Sequence, residues 1–285
     1  MKTIFAGLAA LLPCVAFADV NMRDASFLKT ENDFSLDLMA RTYNSRSLWK
    51  GIFGFGWCAS FEVRFTPHTL KEGKLQTCDR SRNVSAQFVA NEWKVSKNSE
   101  ETWVFNLAGQ WIRLEKNHSE SLFLSYDSRG LVKSIRGQFG IIEFDYKLTG
   151  ELEQIRQSDS HWSRYRFKDE NLLSVTDSSR MTTFYRYDDL HNLVEIETPK
   201  GKERILYDQG KDEVKAYFSI DGCFEIYRFL KQSALRLKSS VFRRCPETQL
   251  EKRILSFSSK RSPQGELLLM EIKTAGGVIE SSSLP

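Results

Sequence analysis

The stretch that decides the fold is represented by YDSRGLV at residues 126–132, one copy of a pattern that recurs with a period of 20 or 21 residues. An aromatic residue opens each copy. The aromatic positions are Phe105, Tyr126, Tyr146, Phe167, Tyr187, Tyr207 and Tyr227. Internal repeats determine the architecture before any single motif does, so the fold has to satisfy this period first.

The position four residues after the aromatic predicts a hairpin turn with a bulge. It holds Gly109, Gly130, Gly150, Asn171 or His191, and glycine, asparagine and histidine are enriched at positive φ. We therefore expect His191 to be a turn residue rather than a catalytic one. A unit of this length accommodates two strands of about six residues and two turns, whereas helical repeats need roughly 33 to 47 residues. Each unit is expected to be one β-hairpin.

Two parts of the sequence resemble the bacterial Rhs family. Tyr-Asp pairs occur at residues 126–127, 187–188 and 207–208, and the YD repeats of that family begin Tyr-Asp-x-x-Gly. Upstream, RTYNSRS at residues 41–47 and GIFGFGW at residues 51–57 resemble the segment that precedes those repeats. The resemblance implies an all-β fold, in which tandem YD-repeat β-hairpins form a curved open sheet with an N-terminal β cap.

The resemblance also bears on function. Larger Rhs proteins wind many YD repeats into a shell that holds a C-terminal toxin, and they carry a self-cleaving aspartate motif with Asp-Pro pairs. This sequence has no Asp-Pro dipeptide and only about seven or eight recognisable units. We therefore do not expect this chain to enclose a toxin by itself.

The domain organisation follows from changes in composition and residue pattern along the chain. Residues 1–18 read as a signal peptide, because an apolar run precedes the small-residue site Ala16-Phe17-Ala18. Pro13 before Cys14 is a poor match to lipoprotein processing. Residues 19–100 are expected to form the N-terminal Rhs-type cap, 101–230 the repeat array, and 231–285 a degenerate repeat or C-terminal cap. The protein is expected to be exported across a bacterial inner membrane, to the periplasm or outside the cell, without a transmembrane anchor.

Four cysteines follow the predicted cleavage site, and an even number in an exported protein suggests disulfides. Three connectivities are possible, and the sequence-local pairs Cys58 with Cys78 and Cys223 with Cys245 are favoured. Metal binding is the rival interpretation, but no Cys-x-x-Cys motif or paired histidine spacing supports it.

The sequence shows no familiar catalytic set. The histidines at positions 68, 118, 161 and 191 are far apart, no His-Glu-x-x-His motif occurs, and no Gly-x-Ser-x-Gly elbow is present. The formal net charge of +4 is scattered along the chain, whereas nucleic-acid binding calls for a concentrated basic stripe. The protein is therefore expected not to be an enzyme, to hold no cofactor or metal, and to bind no nucleic acid.

Surface recognition is the function that remains. The ladder aromatics are expected to be mostly core, so the candidate ligand contacts are Trp49, Trp57, Trp93 and Trp162. One hypothesis is recognition of a glycan or an envelope protein. The second is assembly with a larger Rhs-type protein or its toxin through a sheet edge. A third is that the chain is a remnant of a larger Rhs protein. An exposed tryptophan with polar neighbours in a concave groove favours the first hypothesis, and a long unprotected edge strand favours the second.

Overall fold

The computed structural model describes residues 20–22, 24–34, 37–78, 81–117, 121–158, 160–233, 236–246, 256–261, 267–274 and 277–283. The predicted signal peptide at residues 1–18 and Cys14 lie outside this part of the chain. Apart from one 3₁₀ turn at Asp37–Met39, the regular structure of the described residues is strand. Among these residues, no helix has the length and apolar character that crossing a membrane requires.

Eight short strands come first. They are β1 (Leu28–Asn32), β2 (Ala40–Asn44), β3 (Lys50–Gly51), β4 (Gly54–Phe55), β5 (Trp57–Ala59), β6 (Arg64–Pro67), β7 (Glu72–Gln76) and β8 (Ser81–Ser85). They form three small antiparallel sheets with the strand orders β1-β2-β5, β3-β4 and β6-β7-β8.

The remaining strands belong to one long sheet. They are β9 (Gln87–Val89), β10 (Glu92–Ser96), β11 (Glu101–Phe105), β12 (Trp111–Lys116), β13 (Leu122–Tyr126), β14 (Val132–Gly137), β15 (Gly140–Tyr146), β16 (Leu152–Ser158), β17 (His161–Lys168), β18 (Asn171–Asp177), β19 (Thr182–Tyr187), β20 (Leu193–Thr198), β21 (Gly201–Asp208), β22 (Glu213–Phe218), β23 (Phe224–Ser233), β24 (Arg236–Arg244), β25 (Ser256–Arg261), β26 (Leu267–Thr274) and β27 (Gly277–Ser283).

The long sheet follows the order of the chain. Each strand from β9 to β27 pairs antiparallel with the next one, as tandem hairpins require, and the strand order then returns from β27 to β9. The predicted all-β array of hairpins is confirmed. The long sheet begins at Gln87, inside the segment that is predicted to be the cap, so the proposed domain boundaries stay a prediction.

A bulge marks the ladder aromatic in six consecutive described units. At Phe105, Tyr126, Tyr146, Phe167, Tyr187 and Tyr207 the register shifts by one residue. The following turn contains a residue at positive φ: Gly109 at 75°, Gly130 at 80°, Gly150 at 87° and His191 at 65°. The predicted turn role of His191 is confirmed.

The unit that begins at Phe167 departs from the predicted turn. Asp169 and Glu170 are the residues at positive φ, and Asn171 already belongs to β18. Lys168 pairs directly with Asn171, which leaves a two-residue connection. Two central residues at positive φ are the signature of a type I′ hairpin. The shorter turn moves the left-handed corner off Asn171.

The Tyr227 position also departs from the pattern. Tyr227 lies within the ten-residue strand β23 and pairs with Val241 without a register shift, so β23 continues through Lys231, the position four residues after the aromatic. The sheet continues from there through β24 to β27. The glycine of the approximate unit near Phe257, Gly265, lies outside the described residues.

The N-terminal part of the chain lies against one face of the long sheet. We call the described residues of 20–63 the inner segment, and the sheet face that they cover the inner face. Direct contacts join Met22 to Ser239, Ala25 to Val214, Phe27 to Tyr217, Lys29 to Glu203, Asp33 to Tyr165, Arg41 to Tyr185, Tyr43 to Leu193, Trp57 to Tyr187, and Phe61 to Phe144. The predicted cap is therefore an internal filling that spans most of the array rather than a cover at one end.

The two predicted disulfides are present, one before the repeats and one after most of them. Cys58 is bonded to Cys78 across 20 residues, and Cys223 to Cys245 across 22. In the chain-entropy model, a loop of this size contributes roughly 3 kcal/mol by restricting the unfolded chain. Paired cysteines fit an exported or extracellular protein.

Candidate functional site

A buried charged cluster fixes the inner segment to the repeats. The guanidinium of Arg41 is 1% exposed and makes two hydrogen bonds to Asp33, at 2.8 and 3.1 Å, and one of 2.7 Å to the hydroxyl of Tyr185. Its carbon lies 4.5 Å from the centre of the Trp57 ring. Tyr165 donates to the same Asp33 carboxylate at 2.7 Å. Burial would lower the pKa of Arg41, but the Asp33 carboxylate raises it above the ordinary value, so Arg41 stays charged.

A second buried ion pair repeats this arrangement at β1. Lys29 donates to both carboxylate oxygens of Glu203 at 2.9 Å, and the hydroxyl of Tyr217 donates to Glu203 at 2.8 Å. Both clusters use one face of the small sheet β1-β2-β5. The side chains on that face bind the inner segment to the long sheet. A ligand site on the small sheet would therefore lie on its opposite face.

The opposite face of the small sheet borders a cavity of about 700 Å³. Leu28, Thr42, Asn44 and Cys58 line it from the small sheet, and Trp103 of β11 lines it from the wall of the long sheet. The remaining lining residues are Asn21, Asp24, Ser47, Gly56, Ala59, Ser60, Glu62, Leu75, Thr77, Cys78 and Arg82. Ligand sites in proteins commonly have volumes of roughly 300 to 1,000 Å³. This cavity is our candidate functional site.

The lining combines one aromatic ring with many polar groups of mixed type. Trp103 is half-buried, so part of its ring remains accessible. Asn44 accepts a hydrogen bond from the backbone N–H of Arg46 at 2.9 Å, which commits its oxygen and leaves donation to its amide nitrogen. Asp24 and the exposed Arg82 supply one charge of each sign. The charges at the rim therefore balance.

The third charged group, Glu62, has a structural role. Its carboxylate accepts hydrogen bonds from the backbone N–H groups of Ile52 and Ala59 at 2.9 and 2.8 Å, which holds the glycine-rich loop closed. Burial raises the pKa of Glu62, against the effect of these N–H groups. Glu62 also lies with Cys58 and Cys78 in a group whose ligand-type atoms are within 4.8 Å of one another. The two sulfurs are joined in a disulfide, so the group does not have the free thiolates that a metal would need.

Three of the ladder tyrosines form hydrogen bonds that join neighbouring repeat units. The hydroxyls of Tyr126, Tyr146 and Tyr207 donate to the backbone carbonyls of Trp111, Val132 and Leu193, at 2.7, 2.9 and 3.2 Å. In each case the acceptor is the residue that pairs with the ladder aromatic of the preceding unit, which is Phe105, Tyr126 or Tyr187. Burial raises the pKa of all three hydroxyls. These tyrosine hydroxyls are therefore engaged in hydrogen bonds within the fold.

Tyr187 is used differently from the other ladder tyrosines, because its hydroxyl accepts a hydrogen bond from the indole nitrogen of Trp57 at 2.8 Å. We expect Tyr146→Phe to lower the free energy of unfolding by about 1 kcal/mol, the usual net value of one hydrogen bond. Tyr187→Phe should lower it by roughly 1–3 kcal/mol, because the buried indole N–H would be left without a partner. Urea unfolding followed by circular dichroism measures both, and equal losses would contradict the distinction.

The structure corrects two of the four predicted tryptophan contacts. Trp57 and Trp93 are 0% and 7% exposed and belong to the core, so they present no face to a ligand. Trp49 and Trp162 are half-buried, and neither lines the cavity. The guanidinium carbon of Arg164 lies 4.6 Å from the centre of the Trp162 ring, which is a cation–π contact.

The tryptophan that lines the cavity was not among those predicted. Trp103 lies two residues before the ladder aromatic Phe105. The equivalent residues in the next units, Leu124, Phe144, Tyr165, Tyr185 and Ile205, are all buried. Strand alternation explains this, because a residue two positions before the bulge stays on the inner face. The repeat phase therefore predicts that Trp103 lies on the inner face, because it stands two residues before a ladder aromatic.

The architecture and its internal filling define an all-β tandem-hairpin module. A model of the teneurin YD-shell family matches residues 84–211, which is less than half of the 285 residues. These residues contain the bulged hairpin units described above. The repeat region of this chain is thus similar to the YD-repeat shells of the Rhs/YD type, and the predicted resemblance is confirmed.

Other comparisons give weaker likenesses. A crystal structure of TcdB2-TccC3-TEV shares 12% sequence identity and a TM-score of 0.33, covering 75% of this chain and 16% of that one. A Photorhabdus luminescens Tc holotoxin pore that carries a TccC3 mutation shares 9% identity and a TM-score of 0.35, covering 91% of this chain and 15% of that one. The chain thus spans about one-sixth of the length of these structures. No curated protein matches.

Proposed function

We propose that this Rhs-type structural module is an exported, non-enzymatic binding protein that takes an uncharged saccharide unit in the cavity between β11 and the sheet β1-β2-β5. One observation carries the proposal: the half-buried ring of Trp103 lines a concave site together with hydroxyl and amide side chains. An aromatic ring offers a flat apolar face to the carbon–hydrogen face of a sugar, and the surrounding polar groups can exchange hydrogen bonds with its hydroxyls.

The charge of the cavity favours a neutral ligand. Asp24 and Arg82 oppose one another, and Glu62 is engaged by backbone N–H groups. A phosphate or a polyanion would need several cations that converge on it, and only Arg82 supplies one among the lining residues that the structure describes. A purely apolar ligand would leave the amide nitrogen of Asn44 facing carbon.

Removal of the Trp103 ring tests the proposal. We expect Trp103→Ala to weaken binding of an oligosaccharide that has been selected on a glycan array by about fivefold or more, because a stacked ring contributes about 1 kcal/mol or more. Arg82→Gln, at an exposed position, should weaken it to a smaller extent without affecting the fold. Isothermal titration calorimetry with the same oligosaccharide measures both changes.

Trp162→Ala is the matched control. Trp162 is half-buried like Trp103 but does not line the cavity, so its removal should leave affinity unchanged. Equal losses in Trp103→Ala and Trp162→Ala would place the binding elsewhere. A glycan array without any bound sugar would overturn the proposal and favour the remnant hypothesis.

Assembly with a larger Rhs-type protein or its toxin through a sheet edge is the second class of function. It ranks second because the cavity proposal is built on named lining residues, whereas the strand order does not name residues through which an edge would pair.

A further inference from the structure

An apolar patch lies on the outer face of the long sheet, away from the inner segment. Leu206, Ala216, Ile226 and Phe242 pair across β21, β22, β23 and β24. The next row along the same strands pairs Phe218 with Phe224. We call these six residues the outer patch.

The outer patch is accessible and shallowly indented. Leu206, Phe218 and Ile226 are 48%, 40% and 40% exposed, whereas Ala216 between them is 7% exposed. The small side chain of Ala216 leaves a depression of about 300 Å³, lined by Lys215 and by the residues of the outer patch other than Phe242. Monomeric proteins seldom leave contiguous apolar surface uncovered unless it binds something.

Cations surround the outer patch. Arg204 pairs with Phe218 on one side and Arg244 with Phe224 on the other. Lys215 and Arg228 lie on β22 and β23, and all four cations are exposed.

The acidic groups near this rim are largely engaged or lie at its margin. The nearest acid on the same row is Glu195, whose carboxylate is shared by Arg186, Lys202 and Arg204. Asp208 and Asp212 belong to the turn that joins β21 to β22, beyond Lys215. Asp221 lies in the turn that joins β22 to β23, where its carboxylate accepts hydrogen bonds from the Ser219 hydroxyl and the Cys223 N–H. The rim therefore keeps a positive charge.

Three kinds of occupant could cover the outer patch: a second copy of the chain, a lipid surface, or a segment of another protein. A second copy of the chain would bring one basic rim against another, since a symmetric interface joins the same patch to itself. A lipid surface presents no side chain that could enter the depression. A protein segment can insert one large apolar side chain there and pair its own carboxylates with the surrounding cations.

We propose that the outer patch is a docking surface for an acidic segment of another protein that carries a large apolar residue. The site is distinct from the saccharide cavity, because β21 to β24 present their outer face here and the cavity lies on the inner side.

The test uses a displayed library of linear peptides selected on the full chain. We expect enrichment of peptides in which acidic residues flank one large apolar residue. Fluorescence anisotropy with a synthesised enriched peptide should show that Ile226→Asp weakens binding by about tenfold or more. The double variant Lys215→Glu with Arg228→Glu leaves the apolar residues in place and should weaken binding by a similar factor.

Ile141→Asp is the control, because Ile141 is an exposed apolar residue (49%) on β15 of the same sheet but outside the outer patch. It should leave peptide affinity unchanged, and circular dichroism should show all variants folded. Three outcomes overturn the proposal: no enriched acidic peptide, equal loss with Ile141→Asp, or peptide binding that is insensitive to the charge reversals. Sedimentation of the protein with phosphatidylglycerol vesicles, or dimerisation that Ile226→Asp abolishes, would instead assign the patch to lipid or to a second copy.

Discussion

Arg41→Met is expected to lower the free energy of unfolding by about 3–5 kcal/mol, because it leaves the buried carboxylate of Asp33 without its counter-ion. Of its side-chain hydrogen bonds to the described residues, Asp33 would retain the one from Tyr165, and Trp57 would lose the cation over its ring. Urea denaturation followed by tryptophan fluorescence and circular dichroism measures the loss.

Arg129→Met is the control for this substitution. Arg129 pairs with Asp127 on an exposed turn, with a side chain that is 43% exposed, and surface ion pairs contribute about 0–1 kcal/mol. The double variant Arg41→Met with Asp33→Asn should be less destabilised than the sum of the single variants, since it buries no unpaired charge. Equal effects of Arg41→Met and Arg129→Met would show that the buried cluster does not hold the inner segment.

The second large effect is expected at the first repeat turn. Gly109→Ala should destabilise the protein by roughly 3 kcal/mol or more, because a Cβ at this position would lie 2.0 Å from the backbone oxygen of Phe65. The turn cannot move away easily, since Phe65 donates its backbone N–H to the Gly109 carbonyl at 3.0 Å.

Gly150→Ala separates the steric overlap from the dihedral strain. Gly150 occupies the equivalent turn position with a φ of 87°, but its Cβ would meet only the tip of Leu131, at 3.9 Å. It should therefore show the strain of a left-handed residue alone, about 1 kcal/mol. Thermal and urea unfolding of both variants measure the difference, and similar losses would mean that the contact between β6 and the first turn is unimportant.

Features that depend on spacing along the chain could be predicted from the sequence. The period of the aromatics located the bulged hairpins, because each hairpin is closed by residues of its own unit. His191 could be assigned to a turn from its offset. The pairs Cys58–Cys78 and Cys223–Cys245 were also accessible, since local closure is the simplest connectivity.

Features that depend on distant partners could not be read in the same way. Arg41 and Tyr185 are 144 residues apart, and the sequence around either residue does not predict their contact. The burial of Trp57 and the internal position of the N-terminal strands follow from such contacts. The cavity could be predicted only in part: the repeat phase places Trp103 on the inner face, but the residues opposite it belong to a segment without a period.

The inner segment also changes how the array is expected to fold. In ordinary repeat proteins each unit contacts only its neighbours, so stability is a sum of nearest-neighbour terms and the ends can fray independently. Here one stretch of fewer than fifty residues contacts strands from β15 to β24 at once. It is synthesised before the repeats, and most of its partners follow more than a hundred residues later. The hairpins can form as they appear, but the cooperative unit is complete only when the last of them has closed around a segment made long before.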